Sequence, residues 1–261
     1  MWELLHDLHR ARGSGVRIAI VDSGVESTHP WVGGQLRQSY RVVSDPMHGW
    51  GVVATAPHDV FGHGTAVAGQ MRRFAPEADL ISVQVLGQDL KANSQALLTA
   101  LRWLVAQDVH IINLSLSTMR EQLALLIGLA VDDLYARRIA CVCARGYHRT
   151  GKAYPTNFAG TLGVTYTQLP LAKLVFRPLD NVAFGASGIG VKVAWKDGGT
   201  RETEGSSFAC PLVTGLGARL LSLRPELTPY ELKSLIKAYA DRQADGWWED
   251  WMDGVAEDPA S

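Results

Sequence analysis

Apolar and polar positions along the chain follow two periods that alternate from one end to the other. Residues 17–21 run Arg-Ile-Ala-Ile-Val, the length and branched composition of a strand buried on both faces, and the run ends in Asp22-Ser23-Gly24. Before it, Trp2, Leu4, Leu5 and Leu8 fall at helical spacing over 2–12, and Gly13-Ser14-Gly15 breaks the pattern. From residue 80 the alternation is regular: strand 80–86, helix 94–106 with Leu97, Leu98, Leu101 and Leu104 on one face, strand 110–116, helix 119–137, strand 139–144 and strand 161–165. Strand, helix and strand in repetition need right-handed crossovers. They predict an α/β fold in three layers, a mainly parallel central sheet flanked by helices, with function outside the carboxyl ends of the strands. Asp22 lies at such an end.

Other stretches are less regular. Gly33-Gly34, Pro46, Gly49, Gly51 and Pro57 predict loop with short strands between Asp22 and Asp59. Residues 182–195 and 200–204 predict later short strands around a turn at Lys196-Asp197-Gly198-Gly199. Thr228-Pro229-Tyr230-Glu231 is a capping box with proline at the first helical position, followed by a buried face of Leu232, Leu235, Ile236 and Tyr239. Two helix starts are built from small residues. In Gly62-His63-Gly64-Thr65 a histidine sits between glycines ahead of the run 65–71, and Gly205-Ser206-Ser207-Phe208-Ala209-Cys210-Pro211 leads into an apolar stretch over 212–221.

Composition narrows the classes. A chain of 261 residues with 47% hydrophobic content buries a full core, so one domain is expected over 1–240, followed by a tail over 241–261. That tail holds seven acids against the single Arg242, together with Trp247, Trp248 and Trp251. An acidic run is ordinarily solvated, but clustered indoles are costly to leave in water, which predicts that the tail docks on its own body or on a partner. A net charge of −1 supplies no basic field for nucleic acid or an anionic membrane. No apolar run is expected to span a bilayer, and the first residues lack a basic region followed by an apolar core, so a cytoplasmic protein is expected. Cys141, Cys143 and Cys210 make an odd count, which argues against a disulfide framework, and a lone Cys-x-Cys is a poor zinc signature, so no metal is expected.

A serine at the start of a buried helix stands where unpaired N–H groups and the helix dipole favour a developing negative charge, although helix capping is the commoner use of such a serine. Asp22, His63 and Ser207 together change those odds. They supply a carboxylate, an imidazole and a hydroxyl in an order found in one group of acyl-transfer enzymes. The chain resembles the subtilisin-like serine peptidases at Val21-Asp22-Ser23-Gly24-Val25 with His29-Pro30, at Gly62-His63-Gly64-Thr65, and at Gly205-Ser206-Ser207-Phe208-Ala209-Cys210-Pro211. The resemblance implies a catalytic Asp22, His63 and Ser207, a peptide or protein substrate and no cofactor. Exported members of that family carry a long propeptide; the short stretch before the first strand here resembles the intracellular, propeptide-less members. Calcium stabilises relatives, yet no Asp-rich loop like an EF-hand is present.

The resemblance also shows where this chain departs. Family members end an Ala-Ala-Gly-Asn run with the asparagine that donates to the oxyanion, and here the run is Ala144-Arg145-Gly146-Tyr147. Arg145, the Tyr147 hydroxyl or His148, and more distantly Asn157, are the substitute donors; the alternative is that they are loop residues and nothing more. Ser115-Leu116-Ser117 matches one substrate-pairing edge, with Ser117 in place of the usual glycine, and 87–92 lies near the other. Ser117 and Arg145 narrow or charge the primary specificity pocket, which predicts an enzyme restricted to one peptide or precursor with an acidic or small residue before the cleaved bond. A pseudo-peptidase that only binds peptides, and a transferase using the same acyl-enzyme, are the competing expectations.

Overall fold

The structure, a computed structural model, describes residues 2–145, 152–176 and 183–243. Its centre is a nine-stranded sheet. In chain order the strands are β1 (Arg17–Asp22), β2 (Leu36–Asp45), β3 (Gly49–Ala54), β4 (Asp79–Gln84), β5 (Ile111–Leu114), β6 (Ala140–Ala144), β7 (Leu162–Thr167), β8 (Leu174–Phe176) and β9 (Phe184–Ser187). Across the sheet the order is β3-β2-β4-β1-β5-β6-β7-β9-β8, and every pairing is parallel except β2 with β3 and β8 with β9 at the two borders. A separate antiparallel hairpin joins β10 (Val191–Trp195) to β11 (Gly199–Thr203). The helices are α1 (Trp2–Asp7), α2 (His63–Phe74), α3 (Ser94–Leu104), α4 (Ala124–Ala136), α5 (Ser206–Leu223) and α6 (Pro229–Arg242).

Side chains that alternate along the strands feed two cores, which is how the three layers arise. Ile18, Ile20, Leu80 and Val142 pack with Val67 and Met71 of α2, Leu212 and Leu216 of α5 and Ile236 of α6. Their neighbours Ala19, Val21, Ile81 and Val83 face the other way, onto Leu97 and Leu101 of α3 and Ile127 and Leu134 of α4. Because both faces are covered, β1 is buried along nearly its whole length, and that is why it reads as a continuous apolar run. The expected α/β architecture with a mainly parallel sheet is what the chain adopts.

Helix α5 is the central column of one layer. By length and composition it alone among the described helices could cross a bilayer, which corrects the expectation that no run is long and apolar enough; 83% of it is buried inside the molecule. It crosses α2 at Gly215, where an added Cβ would stand 2.3 Å from the Phe74 Cβ, so only glycine lets the two backbones approach this closely. The buried Arg219 ties the layer together: its guanidinium donates to the carbonyls of Phe74, Leu8 and His9. Burial, with Arg12 adding to it, lowers its pKa to about 10, still far above neutrality.

Four stretches differ from the sequence expectation. Residues 36–54 form the long β2–β3 hairpin rather than loop with short strands, with Pro46 and Gly49 at the turn. The helix expected over 119–137 starts later, at Ala124, after a 3₁₀ turn at Glu121–Leu123, because the Thr118 hydroxyl accepts from Arg120 N at 3.2 Å and Thr118 pairs with Tyr154 as an isolated bridge. The apolar stretch 182–195 divides at Gly188-Ile189-Gly190 between β9 in the main sheet and β10 in the hairpin. Helix α6 continues through Arg242, and the buried Gln243 then binds the backbone of Ala172 and Leu174, so the first residues of the expected tail pack on the body. Trp247, Trp248 and Trp251 lie outside the described residues.

Candidate active site

Asp22 closes β1, which lies between β4 and β5 in the middle of the sheet. Its carboxylate is fully buried and accepts from Ser23 N at 2.7 Å. His63 opens α2 and presents Nδ1 to the same carboxylate, 2.8 Å from Oδ1 and 3.0 Å from Oδ2. A carboxylate at Nδ1 fixes the proton there and leaves Nε2 as the acceptor. The approach of α2 to β1 depends on Gly64, where a Cβ would fall 1.9 Å from the Gly24 carbonyl oxygen and 3.2 Å from the Asp22 Cβ. Burial pushes the imidazolium toward losing its proton, but the charge and hydrogen bond of Asp22 and the charge of Asp59 outweigh it, and the pKa of His63 is raised above 6.5.

Asp59 was not anticipated from the sequence, and it holds this corner together. It is buried, and one oxygen accepts from Ser23 Oγ, Phe61 N and Gly62 N at 2.8, 2.9 and 2.7 Å. The other accepts from Thr65 N at 2.7 Å and Thr65 Oγ1 at 2.6 Å. Ser23 Oγ in turn accepts from Gly64 N at 3.0 Å, so the ends of β1 and α2 are fastened on both sides of His63. The available signal was an Asp ahead of a helix start with a Thr just inside it. Trp195, from the β10–β11 hairpin, covers Gly62 and meets Phe61 at 5.7 Å between ring centroids.

Ser207 is the second residue of α5, and Phe208 beside it packs on the His63 ring with centroids 5.2 Å apart. The Ser207 hydroxyl donates to the Ser115 carbonyl at 3.4 Å. Ser206 anchors the helix start by donating to the Arg145 carbonyl. Buried Asn113 of β5 fixes the opposite wall, accepting from Thr214 Oγ1 of α5 at 2.9 Å and donating to Ser115 Oγ at 3.1 Å. Between these walls lies a pocket of about 370 Å³ lined by Ser115, Leu116 and Ser117 on one side and by Arg145, Ser206 and Ser207 on the other.

Asp22 and His63 thus meet at the carboxyl end of the sheet, while Ser207, next in the chain to the Phe208 that packs on His63, borders the neighbouring pocket with Ser115, Leu116, Ser117 and Arg145. Tyr147 and His148 lie outside the described residues. The Asn157 side-chain oxygen accepts from Ala153 N at 2.6 Å within its own loop. Cys141 and Cys143 are buried thiols with sulfurs 3.5 Å apart, and burial pushes the thiols of Cys143 and Cys210 well up in pKa, which keeps them unreactive. Among the described residues no group of three or more His, Cys, Asp or Glu is arranged to hold a metal ion.

Fold and site together define an α/β protein with a buried carboxylate bonded to an imidazole at the carboxyl end of a central strand and a serine at the start of its core helix. The profile of the subtilase family, Peptidase_S8, matches residues 13–250, and the chain belongs to that family. It is 28% identical over 239 residues to the Thermostable alkaline protease of Halalkalibacterium halodurans, covering 87% of this chain and 63% of that protein. It is also 28% identical to the M-protease of Shouchella clausii, over 86% of this chain and 59% of the relative, and to Subtilisin Savinase of Lederbergia lenta, over 86% and 83%. The matched region therefore spans under two thirds of the first two relatives. Among solved structures, a cold adapted subtilisin-like serine proteinase superposes with a TM-score of 0.71 and Sphericase with 0.72, each at 24% identity over 87% of this chain and 83% of the other.

Proposed function

We propose that the chain is a serine endopeptidase that cleaves peptide bonds through Asp22, His63 and Ser207. The observation that carries this reading is the fully buried Asp22 carboxylate bonded to His63 Nδ1 at 2.8 Å, with Ser207 at the start of α5 next in the chain to Phe208, whose ring packs on the imidazole. The reading requires that the Ser207 hydroxyl turn from the Ser115 carbonyl toward Nε2. His63 then takes the hydroxyl proton as Oγ attacks the substrate carbonyl, and Asp22 holds the imidazolium that forms. The Ser207 backbone N–H, at the positive end of the helix, is directed at the oxyanion. His63 passes its proton to the departing amine, and water, activated by the same imidazole, frees the acyl group. Fluorophosphonate labelling checks this: Ser207 is expected to label, with loss of the label in Ser207→Ala and His63→Ala, and an unlabelled wild-type chain overturns it.

Ser117 and Arg145 in the pocket wall support a restricted enzyme that matures a dedicated peptide rather than digesting proteins generally. Three buried, unpaired thiols favour work in a reducing, cytoplasmic setting. The second reading, a peptide-binding pseudo-peptidase, is favoured by one observation: the Ser207 hydroxyl donates to the Ser115 carbonyl, away from its base. Peptide binding without labelling marks that alternative.

A further inference from the structure

The central sheet ends in two unlike borders. At one of them β8 is only three residues long, and the Gln243 side chain already takes the Leu174 N–H and the Ala172 carbonyl. At the other, β3 runs Gly-Trp-Gly-Val-Val-Ala and pairs with β2 alone among the described strands. Exposed edges are ordinarily blunted by a charge, a proline or a bulge, because their unpaired peptide groups invite another strand. β3 holds no charge and no proline, and its register with β2 is unbroken from Gly49 to Ala54.

The ladder fixes where those peptide groups point. Thr55 N donates to the Ser39 carbonyl at 2.9 Å, one step beyond the Tyr40–Ala54 pair. Bonded and unbonded pairs alternate along an antiparallel ladder, so Thr55, Val53 and Gly51 turn their N–H and C=O groups inward, and Trp50, Val52 and Ala54 turn theirs outward. The ribbon also overhangs the sheet. Arg41 is level with Gln84, the last residue of β4, and β2 runs on to Asp45 before the chain turns back into β3. Trp50 and Val52 are half-buried, while Val53 and Ala54 are exposed.

We infer that β3 is an interface for a second copy of this chain, which adds its own β3 antiparallel across a two-fold axis at Val52. The strand is complementary to itself in that register. Trp50 falls opposite the partner's Ala54 and Gly51 opposite the partner's Val53, large against small on both faces, and Val52 meets its own copy. Trp50, Val52 and Ala54 then stand in bonded pairs, each of which exchanges two N–H···O bonds. Two identical edges related by a two-fold axis use each other up, so the product is a closed dimer and not a fibre. Because β3 runs against β2, and β2 runs with β4 and β1, the central strands of the two copies point in opposite directions and the two candidate sites open away from each other.

Sedimentation equilibrium of the full chain up to about 100 µM, where even a weak specific contact associates, tests it. A mass rising toward twice that of the chain is expected, and a chain that stays monomeric throughout overturns the inference. Val52→Lys and Val52→Glu set like charges against each other at the axis, so each is expected to weaken the dimer by about tenfold or more. Mixing the two variants is expected to restore it as a heterodimer, which also shows that both are folded. Leu125→Lys, on the exposed side of α4, is expected to leave it unchanged. A dimer that survives both Val52 variants, or that Leu125→Lys abolishes, refutes the inference. Hydrogen exchange on the wild-type chain decides independently of any substitution. The amides of Trp50, Val52 and Ala54 are expected to slow as concentration rises, whereas rates that do not depend on concentration exclude a second copy at this edge.

Discussion

His63 sits between opposed influences, and their balance sets how the protein responds to pH. Burial favours the neutral ring, Asp22 and Asp59 favour the charged one, and the charged form gains. A general base works only when neutral, so the acid limb of kcat/KM against pH is expected above the ordinary histidine value of 6.5. Replacing Asp22 by Asn removes the largest of the raising influences and frees the wrong tautomer, which predicts a limb moved to lower pH and turnover reduced by about 10⁴. A wild-type limb below 6.5 would refute the assignment. The same shift has a sign for stability. A raised folded pKa means that the His63–Asp22 attraction stabilises fully below the unfolded value of 6.5 and fades as pH climbs through the higher folded value. Asp22, His63 and Ser207 stood out in the sequence as candidates because each lies in a short run with glycine neighbours. Asp59 did not, since its partners are mostly backbone N–H groups and its one signal, an Asp ahead of a helix start with Thr65 just inside it, is a common capping pattern.

Between elements, the crossing of α5 over α2 decides where Ser207 ends up. Gly215 and Phe74 meet with no room for a methyl, so Gly215→Val is expected to cost about 3 kcal/mol and to tilt the helix that carries Ser207. Urea unfolding measures the first effect and fluorophosphonate labelling rate the second; an unchanged midpoint would show that the layers relax around the added side chain. Legibility followed burial here too. β1, β4, β5 and β6 were readable because strands covered on both faces become unbroken apolar runs. The β2–β3 hairpin escaped because much of it faces solvent and its glycines look like loop. β8, three residues long at the border, is too short for any period to show.

Taken whole, the molecule places its candidate site residues at the ends of regular elements: a central strand, a helix anchored by Asp59 and a core helix. Site and fold should therefore be lost together. Denaturant midpoints read by labelling of Ser207 and by far-ultraviolet circular dichroism are expected to coincide, and labelling that vanishes first would mean that the site melts locally. The residues involved are also far apart in the order of synthesis. When Asp22 and His63 have left the ribosome, the serine that completes them is still more than a hundred codons away. The helix that carries it packs on β5, β6, β7 and β9, all of which precede it in the chain. On the proposed reading, the growing chain carries carboxylate and imidazole long before it carries the hydroxyl they would serve.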